Sequence, residues 1–152
     1  VSNAVAALAV AGVVGVDLDE AAASLAAASV SEMRMEISTA GSGATVVNDA
    51  YNANPTSMAA ALDALAVMGA ARRIAVVGTM AEIDDPAPAH REIARRAAEL
   101  GIELVAVGTD LYGVGPADDP LSAIGPVGEG DVVLVKASRS VGLERIVDDL
   151  LT

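Results

Sequence analysis

Cysteine, phenylalanine and tryptophan are absent from this 152-residue chain, and its aromatics amount to two tyrosines. Without cysteine there is no disulfide framework and no thiolate metal site, which fits a reducing compartment. Cations are scarce as well. Nine Lys and Arg face 21 Asp and Glu, a net charge of −12, so the surface repels phosphate backbones and argues against a nucleic-acid partner. The first 14 residues are apolar, but no basic segment precedes them and Gly12 interrupts the run, just ahead of Gly15. Neither a signal peptide nor a membrane span is expected there, and no basic amphipathic segment suggests binding to a membrane surface. No Walker loop, GxGxxG, HExxH or GxSxG occurs. An initiator Met is missing too, so the natural start is expected upstream.

Hydrophobic residues make up 53% of the chain, chiefly Ala and Val, enough for one domain, or one domain plus a piece of another. Residues 2–14 read as a helix. "DLDEAAASLAAAS" reads as a second, with Asp17 as its cap and Glu20 three residues on. From residue 33 the period changes. "MRMEIST" alternates like a strand, "GSG" turns, and "ATVVND" is a short β-branched run. Asn54 and Pro55 then open a helix with Met58, Leu62 and Leu65 on one face. "RRIAVVG" (72–78), "IELVAVG" (102–108) and "DVVLVKA" (131–137) read as further strands. "PAHREIARRAAELG" and "GLERIVDDLL" read as helices, and residues 109–130 as largely irregular. Alternating strands and helices predict an α/β fold: a Rossmann-like, mostly parallel sheet with helices on both faces, preceded by a short helical segment.

In such sheets ligands bind beyond the carboxyl ends of the strands. Four segments sit there: "NDAYNANP", "GTMAEIDD", "GTDLYG" and "KASRS". Asp49 is suited to a ribose diol, and the carboxamides of Asn52 and Asn54 to a base edge or phosphate oxygens. Asn54 serves equally well as a plain helix cap. Lys136, Ser138 and Arg139 suit an anionic group such as a carboxylate. Arg34 either reaches a phosphate or snorkels to solvent. Glu82, Asp84 and Asp85 read as solvated carboxylates rather than metal ligands. The single histidine, His90, has no partner identifiable from sequence, and a structural or surface role is expected for it.

"NDAYNANPTSM" closely resembles the signature of the Mur ligase family, in the branch that adds D-alanyl-D-alanine. "VSNAVAALAVA", "SEMRMEI" and "GDVVLVKASRSVGLERIV" agree with that family in order and spacing, and "RRIAVVGTMAEID" agrees more loosely. The resemblance implies an ATP- and Mg2+-dependent amide ligase of cytoplasmic peptidoglycan precursor synthesis, acting on UDP-N-acetylmuramoyl-tripeptide and D-alanyl-D-alanine. It also implies that residues 1–30 are a remnant of the central ATPase domain and 31–152 the C-terminal domain. By similarity Asn3 contacts adenine, Arg34 the ATP phosphates and Asp49 the ribose, with Tyr51 and Asn52 on the nucleotide side. Lys136, Ser138 and Arg139 face the incoming dipeptide. Thr79 stands where the family usually has Asp, Ala137 where it usually has Gly, and residues 109–130 look short. The family's phosphate loop, its Mg2+ ligands and its UDP-binding domain are not in these 152 residues. No catalytic residue is therefore expected here, and the isolated chain is expected to be inactive. A sibling ligase with another amine substrate, or a non-catalytic nucleotide-binding module, are the alternatives.

Overall fold

The structure is a computed structural model and describes residues 2–28 and 33–152. Two compact units divide it, residues 1–31 and 32–152. The expected domain boundary, between residues 30 and 31, lies outside the described residues.

The first unit is a helical hairpin, α1 (Ser2–Val13) and α2 (Leu18–Ala27), with the two helices packed on each other. Asp17 caps α2 by accepting from the N–H groups of Asp19 and Glu20 at 3.0 and 3.1 Å. Those donors have no partner within the helix, and one short carboxylate serves both.

The second unit is a five-stranded sheet in the order β1-β2-β5-β3-β4. Its strands are β1 (Glu36–Thr39), β2 (Thr45–Asp49), β3 (Arg72–Val77), β4 (Glu103–Ala106) and β5 (Asp131–Lys136). Only β1, at the edge, runs antiparallel to its neighbour. The central strands are apolar runs because both of their faces are covered. Val47, Ala75, Val77 and Leu134 point to one face, where α3 (Pro55–Val67) and α4 (Pro86–Glu99) pack. Val46, Ile74, Val76, Val133 and Val135 point to the other, beneath α5 (Pro120–Ile124) and α6 (Glu144–Leu151).

Local chemistry sets the element ends. Asn54 accepts the Ser57 N–H at 2.8 Å and Ser57 Oγ accepts the Asn54 N–H at 3.1 Å, a reciprocal cap, with Pro55 in the first turn. On α4, His90, Ile93 and Ala97 form the buried stripe, while Arg96 on the outer side pairs with Asp63 of α3.

Three readings of the sequence are corrected. The alternating "MRMEIST" pairs as a strand only from Glu36, because Met33 and Met35 have φ of 57° and 51°, outside the extended region. The helix expected from Pro88 starts one half-turn earlier, at Pro86. Residues 109–130 hold a short helix, α5, capped by Asp119 through the N–H groups of Leu121 and Ser122.

Candidate functional site

β5 sits between β2 and β3, and this placement creates the site. The chain leaves β2 for α3 on one face of the sheet and leaves β5 for α6 on the other. Adjacent strands whose connections depart to opposite faces leave a crevice beyond their carboxyl ends. The β2 exit carries "DAYNANP" and the β5 exit carries "KASRS".

Asp49 and Lys136 are the last residues of their strands and are register partners. Lys136 Nζ donates to Asp49 Oδ2 at 2.6 Å and to the Asn52 carbonyl at 2.9 Å. The Lys136 side chain is 2% exposed and that of Asp49 13%. The other carboxylate oxygen, Asp49 Oδ1, accepts the Met35 N–H at 3.2 Å.

Just beyond this pair stands the half-buried Tyr51. The Arg34 guanidinium lies over its ring at 4.2 Å and that of Arg139 at 5.5 Å. Both are within cation–π range. Among the described residues neither guanidinium has a carboxylate partner. Two guanidinium groups around one phenol form a cationic rim on a chain that is otherwise strongly acidic.

A cavity of about 310 Å3 opens against this rim, lined by Tyr51, Asn52, Ala81, Glu82, Ser138, Arg139 and Ser140. Ser138 is buried and fixes one wall. Its Oγ accepts the Ala81 N–H at 2.9 Å and its own N–H donates to the Thr79 carbonyl at 3.1 Å. The β3 exit loop is thereby fastened to the β5 exit loop.

The structure thus gathers Arg34, Asp49, Tyr51, Asn52, Lys136, Ser138 and Arg139 at one sheet edge. They do not share one role. Tyr51, Asn52, Ser138 and Arg139 line the cavity, whereas Lys136 stands behind its wall with its ammonium engaged. Asn3 lies exposed on α1, in the other unit. Asn54 is a cap. No three of His, Cys, Asp and Glu gather to hold a metal among the described residues.

Sequence reasoning missed how the β3 exit loop is supported. His90 is fully buried on α4. Its Nε2 accepts the Met80 N–H at 3.0 Å, so Nδ1 is the protonated nitrogen and donates to the Pro86 carbonyl at 2.5 Å. Its ring meets that of Tyr112 edge-on at 4.8 Å. Tyr112 donates its phenol to the Gly78 carbonyl at 2.7 Å. The visible signal was the spacing His90–Ile93–Ala97, which places the imidazole on the buried stripe.

Burial holds the Tyr112 phenol above its ordinary value. The unfolded phenol ionises near pH 10, at about its reference value. Below that pH both states are neutral and the full stability is present. As pH rises past it, the unfolded chain sheds a proton that the folded one keeps, and stability falls. The urea midpoint is expected to drop between about pH 9 and 11, and to drop less in the Tyr112→Phe variant. Equal drops in both proteins would refute this.

The sequence model of the family described as "Mur ligase, glutamate ligase domain" matches residues 33–125. A UDP-N-acetylmuramoyl-tripeptide–D-alanyl-D-alanine ligase of Mycobacterium tuberculosis (strain CDC 1551 / Oshkosh) is 40% identical over 190 aligned residues, covering 99% of this chain and 37% of that relative. The ligase of the same name from Escherichia coli (strain K12) is 33% identical over 162, covering 97% and 36%. Among solved structures, MurF from Acinetobacter baumannii superposes with a TM-score of 0.81 at 27% identity, across 98% of this chain and 36% of that one. MurF from Thermotoga maritima, solved in complex with ADP, gives 0.69 at 26% identity, across 93% and 35%. The chain spans little more than a third of the length of the curated relatives it matches.

Proposed function

The chain belongs to the Mur ligase family, whose domain model covers residues 33–125, and on that premise we propose that it is the C-terminal part of an ATP-dependent amide ligase. The reaction joins D-alanyl-D-alanine to UDP-N-acetylmuramoyl-tripeptide, in the cytoplasm, during peptidoglycan precursor synthesis. The observation that carries the reading is the cavity at the β2/β5 exits, lined by Tyr51 and Arg139, with Arg34 stacked on the same Tyr51 ring, in a chain that aligns over 99% of its length with a ligase of that name.

In this reading each residue has a physical task. Tyr51 and Asn52 form the nucleotide side of the cavity, with the Arg34 guanidinium on the Tyr51 ring beside the phosphates. Asp49 supplies a carboxylate for the ribose, and Asn3, from the helical unit, contacts adenine. Ser138 and Arg139 face the amine substrate, where a guanidinium matches the terminal carboxylate of a dipeptide in a two-point contact. The α1–α2 hairpin belongs to a central ATPase domain and residues 31–152 to the amine-side domain.

ATP supplies the activation of the substrate carboxylate as an acyl phosphate. Phosphoryl transfer rests on positioning and on neutralising phosphate charge. The described residues contain no acidic or imidazole cluster for Mg2+, and the sequence contains no phosphate loop. No step of the transfer is therefore assigned to this chain, which binds and orients.

The 152-residue protein is expected to release no phosphate with ATP, Mg2+, the UDP-muramoyl tripeptide and D-alanyl-D-alanine. Joined behind the other two thirds of the mycobacterial relative, it is expected to release phosphate on addition of D-alanyl-D-alanine, in preference to single amino acids. Preference for a single amino acid would favour a sibling ligase. A chimaera that folds and binds substrates but never turns over would favour a non-catalytic module.

A further inference from the structure

We propose that Lys136 is a positioning residue that seats Arg34 on Tyr51, acting through Asp49, rather than a group that meets the substrate. The proposal deepens the reading of the site above and rests on it for the statement that a ligand lies against Tyr51.

The path is continuous. Lys136 Nζ holds Asp49 Oδ2 at 2.6 Å, and Asp49 Oδ1 holds the Met35 N–H at 3.2 Å. The other end of the same short segment is fastened where the Tyr51 N–H donates to the Met33 carbonyl at 3.2 Å. Arg34 lies between the two fastened residues, 4.2 Å from the Tyr51 ring.

The fastening matters because the segment is strained. Met33 and Met35 both have left-handed backbones, with φ of 57° and 51°. Side chains with a Cβ adopt that conformation at a cost of about 1–2 kcal/mol each. It persists only where the surroundings over-determine it. Among the described residues three hydrogen bonds hold it: a long one from the Met33 N–H to Glu36 Oε2 at 3.4 Å, at the start of the segment's own strand, and two to the β2 exit, one of them to the Asp49 carboxylate.

That carboxylate has two choices. It is 13% exposed and next to water. With Lys136 beside it, one oxygen is tied inward and the other is presented to Met35. Without the ammonium, rotation toward solvent restores its hydration, and Met35 loses its acceptor. The relaxed segment then has no reason to keep Arg34 over the ring.

Two further facts separate positioning from substrate contact. Lys136 does not line the cavity, and two donors of its ammonium are already committed to Asp49 and to the Asn52 carbonyl. The second of these bonds fixes the backbone of the loop that carries Tyr51, so one ammonium sets both partners of the stack.

The test is NMR of the ligand-free 152-residue protein. In the parent, the Arg34 δ-methylene protons are expected upfield, shifted by the Tyr51 ring current. The Tyr51→Leu variant assigns that shift by abolishing it. In Lys136→Met the shift is expected to vanish, while the methyl signals of Val76 and Val133, on the core face away from α3, keep their dispersion. A merely structural pair would lower stability and leave Arg34 in place, so a retained shift in folded Lys136→Met overturns the proposal. Should that variant fail to fold, Asp49→Leu combined with Lys136→Met removes both charges together. Loss of the shift there supports the proposal and retention overturns it. ADP affinity of the completed chimaeric enzyme is read separately. A lost stack with unchanged ADP binding leaves the positioning role standing and removes the nucleotide reading of Tyr51.

Discussion

The His90→Leu variant is expected to lose about 2–4 kcal/mol of stability, from one buried donor and one acceptor left weaker or unpaired. Leucine is close to histidine in volume, so no large cavity opens and the loss is chiefly one of hydrogen bonds. The Met80 N–H, in the buried segment after β3, loses the acceptor it has among the described residues. The Pro86 carbonyl loses the imidazole donor but sits at the start of α4. The His90→Gln variant tests the cause. Its amide oxygen reaches roughly where Nε2 lies and is expected to recover part of the loss. Urea denaturation of the three proteins decides the matter. A His90→Leu midpoint equal to the parent's, at unchanged slope, would refute the assignment.

Gly78→Ala is expected to act on the site itself. A Cβ at Gly78 would stand 2.8 Å from Ala137 Cβ and 2.9 Å from Val141 Cγ1. Neither neighbour can swing aside, since the Ala137 methyl is fixed to the backbone and Val141 closes the short 3-10 turn after Ser138. Gly78 cannot retreat either. Its N–H donates to the Lys136 carbonyl and its carbonyl accepts from Tyr112. Overpacking of this kind costs about 1–3 kcal/mol. The strain is relieved most cheaply by pushing out the β5 exit loop, which carries Ser138 and Arg139. Displacement of positioning groups by an ångström costs about 10²-fold in rate, so on the proposed function a ligation defect of that order is expected in the completed chimaera. Ligation within twofold of the parent would show that the loop absorbs the methyl elsewhere. The same crowding gives a reason for alanine, and nothing larger, at position 137.

The regular elements were legible because each carried a signal within its own span. The β-branched runs of β2, β3 and β5 and the Asn54–Pro55 helix start needed no tertiary information. The segment at Met33–Met35 was misread for the opposite reason. Its alternation imitates a strand, and the hydrogen bonds that tie the observed backbone to residues 49 and 51 are invisible to local pattern. Asp119 and Pro120 announced α5 in the same way as Asn54 and Pro55, but the surrounding Gly, Pro and Asp hid the signal. At the site, residue types were legible and roles were not. Asp49 and Lys136 are 87 positions apart, and only the register of β2 against β5 makes them a pair. His90 found backbone partners, which leave no trace in side-chain spacing.

The strand order has a consequence for synthesis. The strand at the centre of the sheet, β5, is the last of the five along the chain. Until residues 131–136 leave the ribosome, β2 and β3 have no partner between them and each presents a bare backbone edge. Unpaired edges of apolar strands invite association with other chains. The nascent protein therefore carries two half-sheets that cannot join from the completion of β4 until β5 emerges. Lys136 arrives at the end of that wait, on the strand that closes the gap. Asp49 meets its counter-ion only when the sheet is whole, and so the candidate site is finished in the same event as the fold.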